Sequence, residues 1–101
     1  MRHVNILTLS KALAHLREQT LSSFDCYLSN NLLTVPHKAG LNPPVWELGH
    51  VAWFQEYWIG RNLQRSKGLA CDVSLARNAS ILSEADVWFD SAKVAHATRW
   101  D

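Results

Sequence analysis

Apolar and polar positions along the chain follow helical spacing in three segments, and no segment alternates long enough to propose a strand. The first segment runs from about Ser10 to Ser29. Leu13, Leu16, Thr20, Leu21, Phe24, Tyr27 and Leu28 recur there at spacings of three and four, forming one stripe of an amphipathic helix. Lys11, Arg17, Glu18 and Asp25 are free to take other faces. Ser10 is the expected N-cap, and Asn30 and Asn31 are the expected stop. Cys26 falls beside the stripe and is expected to pack.

A loop with Pro36 and Gly40 follows, and Asn42 then precedes Pro43 and Pro44. Asn favours an N-cap, and proline is tolerated in a first turn, where its missing N–H would have had no partner anyway. The second helix is predicted from about Pro43 to Gln64, with Gly68 just beyond it. Val45, Trp46, Leu48, Val51, Ala52, Trp53, Phe54, Tyr57, Trp58 and Ile59 spread over most of its circumference, too many for two neighbours to cover. A further element, or a second copy of the chain, is expected to cover the remainder, so self-association into a homo-oligomer is expected.

The third helix is predicted from near Ser83 to Thr98. Glu84 and Asp86 stand at the positive end of its dipole, and Val87, Trp88, Ser91, Val94 and Ala95 form its buried stripe. The link from Ser66 to Leu82 exceeds what antiparallel neighbours need. It suits a crossover that leaves the second and third helices parallel, or a mobile loop. The predicted fold class is all-α, a helical bundle of about three helices in one domain spanning 1–101.

Composition narrows the functions. With 101 residues, 48% of them apolar and 19% charged, the chain reads as one globular domain. A net charge of +1, with scattered Lys and Arg, gives no electrostatic case for nucleic acid or an anionic membrane, and neither partner is expected. The run Val4–Leu9, broken by Asn5 and Thr8, is too short and polar for a signal peptide, and no stretch approaches the ~20 apolar residues of a membrane span. Cys26 and Cys71 lack metal or disulfide-scaffold spacing, so a reducing cytoplasm is the expected compartment.

His50 is the candidate for chemistry. Trp46, Trp53, Phe54 and Tyr57 lie at i−4, i+3, i+4 and i+7, which sets one imidazole in an aromatic wall; Gly49 beside it allows close approach of another backbone. The ring is either a metal ligand aimed into the bundle or a core histidine whose nitrogens meet a backbone carbonyl or a water. Glu47 and Glu56 point about 100–120° to either side of it, as solvated carboxylates or as reach toward a ligand. His96 and Arg99, three apart, share a face and are placed either to grip a carboxylate or to complement a helix C-terminus. Cys71, beside Asp72, is not placed for a thiolate. His3, His15 and His37 have no evident partners.

The run Asn42-Pro43-Pro44-Val45-Trp46-Glu47-Leu48-Gly49-His50-Val51-Ala52-Trp53-Phe54-Gln55-Glu56 resembles the DinB-like domain that opens the ergothioneine-synthase (sulfoxide synthase) family. The family pattern is a Pro, then Trp-x-Leu-Gly-His-x-x-Trp-Phe-x-Glu, matched here by Trp46, Leu48, Gly49, His50, Trp53, Phe54 and Glu56. The stretch Phe89–Asp101 is similar to a branch that includes selenoneine synthases. The resemblance implies an up-down-down-up four-helix bundle. It also implies non-heme iron(II) held by three histidines, the first matching His50 and the others lying in a His-x-x-x-His on a fourth helix. The implied reaction is oxygen-dependent carbon–sulfur or carbon–selenium bond formation on trimethylhistidine, with a thiol or selenol donor held by basic residues that Arg99 and His96 best match. Because the sequence stops at Asp101, the expectation is an N-terminal fragment of such an enzyme, lacking the fourth helix and the C-terminal lectin-like domain, with a partial iron site and no full activity alone. Two other readings stand beside it: a non-catalytic DinB-like module that dimerises through the second helix, and a DinB-like thiol transferase using zinc or nickel.

Overall fold

The computed structural model describes residues 5–101, all of whose regular elements are helical. His3 and Val4 lie outside the described residues. The chain divides into two compact units, Met1–Thr34 and Val35–Asp101.

The first unit is built on α1, Ile6–Ser29. It begins earlier than Ser10 because Asn5 is the better cap: its side-chain oxygen accepts from the Leu7 N–H at 2.7 Å. It stops at the predicted asparagines. Asn31 takes a left-handed φ of 56°, the Leu32 N–H reaches the Tyr27 carbonyl, and the Asn31 N–H reaches Leu28, which together make a Schellman cap. On its apolar stripe Leu13, Leu16, Tyr27 and Leu28 are exposed. Cys26 is exposed as well, contrary to the packing role expected of it.

The second unit contains α2, Pro44–Gln55, and α3, Ala85–Phe89. Beyond Gln55 the helix widens into a π-turn, Glu56–Gly60, where the Arg61 N–H bonds to the Glu56 carbonyl. Helical structure ends at Arg61, short of Gln64, because Asn62 returns its side chain to the Trp58 carbonyl and the Gln64 N–H. A 3₁₀ segment, Arg65–Ala70, is broken at Gly68, whose φ of 53° and ψ of −126° suit glycine.

The long link is not a crossover. From Asn78 onward the chain runs back antiparallel to α2. Asn78 meets Arg61, Asp86 meets Trp53, Phe89 meets His50 and Arg99 meets Asn42. Charged groups at the far end of α2 hold this return: the Glu56 carboxylate accepts from Ser80 Oγ at 2.6 Å and the Ile81 N–H at 2.7 Å.

The third helix is much shorter than predicted. Asp90 leaves the helical region and makes its own turn, its side chain accepting from the Ala92 N–H and its carbonyl from those of Lys93 and Val94. The last carbonyls of α3 therefore do not continue a helix; α2 supplies their donors. The expected stripe is displaced too. Val87 and Trp88 are exposed, while Ala85 and Asp90 are buried and the Phe89 ring lies on Gly49. His96–Trp100 forms a separate 3₁₀ turn, tied back by Trp100 Nε1 to the Val35 carbonyl at 2.9 Å.

The apolar core of this unit is small: Trp46, Trp53 and Ala85 are its buried members. Val51 and Phe54 on α2, and Ile59 in the π-turn, stay exposed. Among the described residues no helix is long and apolar enough to cross a membrane.

A Cβ at position 49 would overlap the Phe89 ring. Gly49→Ala is therefore expected to destabilise the second unit by about 1–3 kcal/mol through overpacking, read as a lower urea midpoint at unchanged slope.

Candidate functional site

Residues 46, 50, 53 and 57 share one face of a helix, and along α2 and into the π-turn their four rings stack into a column. Trp46 and His50 lie 4.9 Å apart and within 9° of parallel; His50 and Trp53 are 5.8 Å apart; Trp53 and Tyr57 are 4.9 Å apart. Phe54 flanks His50 at 6.1 Å. Guanidinium groups cap both ends. Arg99 lies 4.2 Å over Trp46, and Arg77 lies 4.1 Å over Tyr57, with Arg61 at 5.3 Å from the same ring.

The polar edges of the column face α3. Trp46 Nε1 donates to the Trp88 carbonyl at 2.7 Å, and His50 Nδ1 lies 2.8 Å from the Phe89 carbonyl. A carbonyl only accepts, so this bond fixes Nδ1 as the protonated nitrogen and leaves the Nε2 lone pair available. An imidazole oriented in this way, through a backbone carbonyl, is the usual arrangement of a metal-ligating histidine. It is equally what a core histidine needs. The partner predicted for Gly49, another backbone, is in fact the Phe89 ring.

Trp53 Nε1 donates to Asp86 Oδ1 at 2.7 Å. Arg61, itself buried, grips the same carboxylate with both terminal nitrogens, at 2.7 and 3.0 Å. The Arg61 hydrogen bonds first, and that of Trp53 second, pull the Asp86 carboxyl down to about 2 from its ordinary 3.8. Asp86 does stand in the first turn of α3, but its carboxylate serves α2. Glu56 is also held below its ordinary value, by the Ile81 N–H first and then by Ser80.

The other sequence candidates are engaged in holding the chain. In a 3₁₀ turn residues three apart eclipse, so His96 and Arg99 reach the same loop. His96 Nε2 lies 2.7 Å from the Leu41 carbonyl, and Arg99 donates to Asn42 Oδ1 at 3.0 Å and to the Ser91 and Val94 carbonyls at 3.3 Å. The Arg99 Nε–H is buried without an acceptor, and no carboxylate pairs with that guanidinium among the described residues. Glu47 accepts from Asn42 at 2.6 Å. His37, which showed no partner in the sequence, stacks on Trp100 at 4.3 Å. Cys71 meets the Asn62 amide.

Among the described residues no group of three His, Cys, Asp or Glu side chains could hold a metal. His50 fits one coordination position of an iron site, and the described residues do not supply the rest. The long-range partnerships of Arg61, Asp86 and Arg77 escaped sequence reasoning because they span 17 to 33 positions, a separation that carries no local pattern. No family model matches the chain, and no curated protein matches it.

The depressed Asp86 value carries a sign. A folded-state value below the unfolded one means stabilisation that is complete above about pH 4 and is lost as pH falls through about 2. Acid titration of tryptophan fluorescence should show unfolding in that window, and Asp86→Asn should flatten this limb while lowering stability at neutral pH.

Proposed function

We propose that this chain supplies the first histidine ligand, His50, of a non-heme iron(II), oxygen-dependent synthase that forms a carbon–sulfur or carbon–selenium bond on trimethylhistidine. The observation that carries this reading is the His50 ring itself. It stands among stacked indoles, with Nδ1 spent on the Phe89 carbonyl and Nε2 left as a lone-pair donor. The remaining donors belong to polypeptide outside the described residues, and bound iron would supply the oxygen chemistry. This chain's own part is to hold one imidazole rigidly and to keep its tautomer.

Arg99 supports the same reading as an anchor for the carboxylate of a substrate or thiol donor. Among the described residues its guanidinium has no acidic partner, and it stacks on Trp46, next to His50 in the column. His96 positions the same turn through Leu41. A DinB-like thiol transferase would use His50 toward zinc or nickel, and the choice of metal separates it from the synthase.

Anaerobic iron(II) titration of the whole encoded protein tests the proposal. His50→Ala should weaken binding by more than the roughly 10–100-fold that losing a mere orienting partner costs. Equal affinity in the two proteins removes His50 from any iron site.

The exposure of Val51, Phe54 and Ile59 favours a second reading, a non-catalytic module that pairs through α2. It predicts a concentration-dependent dimer in sedimentation, abolished by Phe54→Lys. A monomer at all concentrations excludes it.

A further inference from the structure

In an α-helix each carbonyl accepts from the N–H four residues further on. Were α3 to continue past Phe89, the Trp88 carbonyl would take the Ala92 N–H and the Phe89 carbonyl would take the Lys93 N–H. Both donors are diverted by one residue. The Ala92 N–H donates to Asp90 Oδ1 at 3.0 Å, and the Lys93 N–H donates to the Asp90 carbonyl at 2.9 Å, beside that of Val94. Asp90 is buried, and its ψ of 101° takes the chain out of the helix. Its side-chain and backbone oxygens thus engage the two N–H groups that would compete for the last carbonyls of α3. Those carbonyls accept instead from Trp46 Nε1 at 2.7 Å and His50 Nδ1 at 2.8 Å.

The geometry points to Asp90 as the positioning residue of His50. By drawing Ala92 and Lys93 away from α3, it keeps the Phe89 carbonyl open to the imidazole, and so holds the ring as the Nδ1–H tautomer with its lone pair on Nε2. Asp90 acts through the backbone, by way of Phe89. Its charge is secondary: the Oδ2 contact with Lys93 is 3.7 Å long and ends on an exposed side chain, so it contributes little. The inference deepens the iron reading, and its consequence for a metal rests on that reading. The tautomer itself is a property of the metal-free chain.

Long-range proton–nitrogen correlation NMR of the whole metal-free chain reads the tautomer, at alkaline pH where imidazole is neutral and with His50→Ala to assign the peaks. The wild-type protein should show a protonated, pyrrole-type Nδ1 and a pyridine-type Nε2 at His50. In Asp90→Ala the Ala92 and Lys93 N–H groups become free to extend α3. The two ring nitrogens should then lose their separation and take the averaged shifts of a tautomer mixture. Asp90→Asn keeps an acceptor oxygen in the same place and should retain the wild-type shifts, as should Lys93→Ala. A merely structural role for Asp90 would lower stability and leave the tautomer alone. Asp90→Glu keeps the charge but carries its carboxylate one methylene away from the Ala92 N–H; it should shift as Asp90→Ala does, and it replaces that variant if alanine prevents folding. The wild-type spectrum needs no variant to fold. An Nε2–H ring in the wild type, or wild-type shifts in folded Asp90→Ala or Asp90→Glu, overturns the inference. Iron(II) affinity that is equal in the wild type and His50→Ala removes the metal reading instead, and leaves these spectra as they are.

Discussion

The second unit depends on two hydrogen bonds that cross between helices. A helix as short as α3 leaves nearly all its terminal carbonyls without partners. The Trp88 and Phe89 carbonyls find theirs in the indole N–H of Trp46 and the imidazole N–H of His50. Both donors come from rings of the stacked column, and one of them, Trp46, is a buried member of the core. The same side chains therefore supply packing and polar satisfaction, which lets a small core hold a five-residue helix in place. An isolated helix of that length would not persist in water.

This arrangement constrains what His50 can do. The bond that orients the imidazole is also part of what terminates α3, so ligand geometry and fold are not separable at this residue. A metal or substrate acting on Nε2 would pull against a ring already fixed on its other edge and on both faces. Such preorganisation is what a first ligand contributes when the remaining donors arrive from elsewhere. Arg61 performs a parallel task just past the π-turn, where it ties Asp86 and the Asn78 carbonyl to one guanidinium.

The helical class, the span of α2 around His50 and the stop at Asn30–Asn31 were legible in the sequence, because they rest on local period and capping chemistry. The aromatic wall at i−4, i+3, i+4 and i+7 was legible for the same reason, and the stacked column follows from it. What failed was long-range. The pattern from Val87 to Ala95 reads as one helix because nothing local announces that Asp90 will turn the chain. The antiparallel return was hidden because its anchors, Glu56 to Ser80 and Arg61 to Asn78, join polar residues that look solvated when read singly. Asn5 outcompetes Ser10 as a cap, although both are good capping residues and nothing in the stripe ranks them.

The π-turn at Glu56–Gly60 sets the angular phase of everything after it. One additional residue per turn delays the backbone by about 100° of rotation relative to an α-helix. That delay brings Arg61 to bear on Asp86, and it leaves Trp58 and Ile59 on the outside. Deleting a single residue there would restore a regular helix and turn the guanidinium away from its carboxylate. The irregular turn therefore acts as a gear between α2 and Arg61, and natural variation in chain length at this point would be expected to travel with changes at position 86.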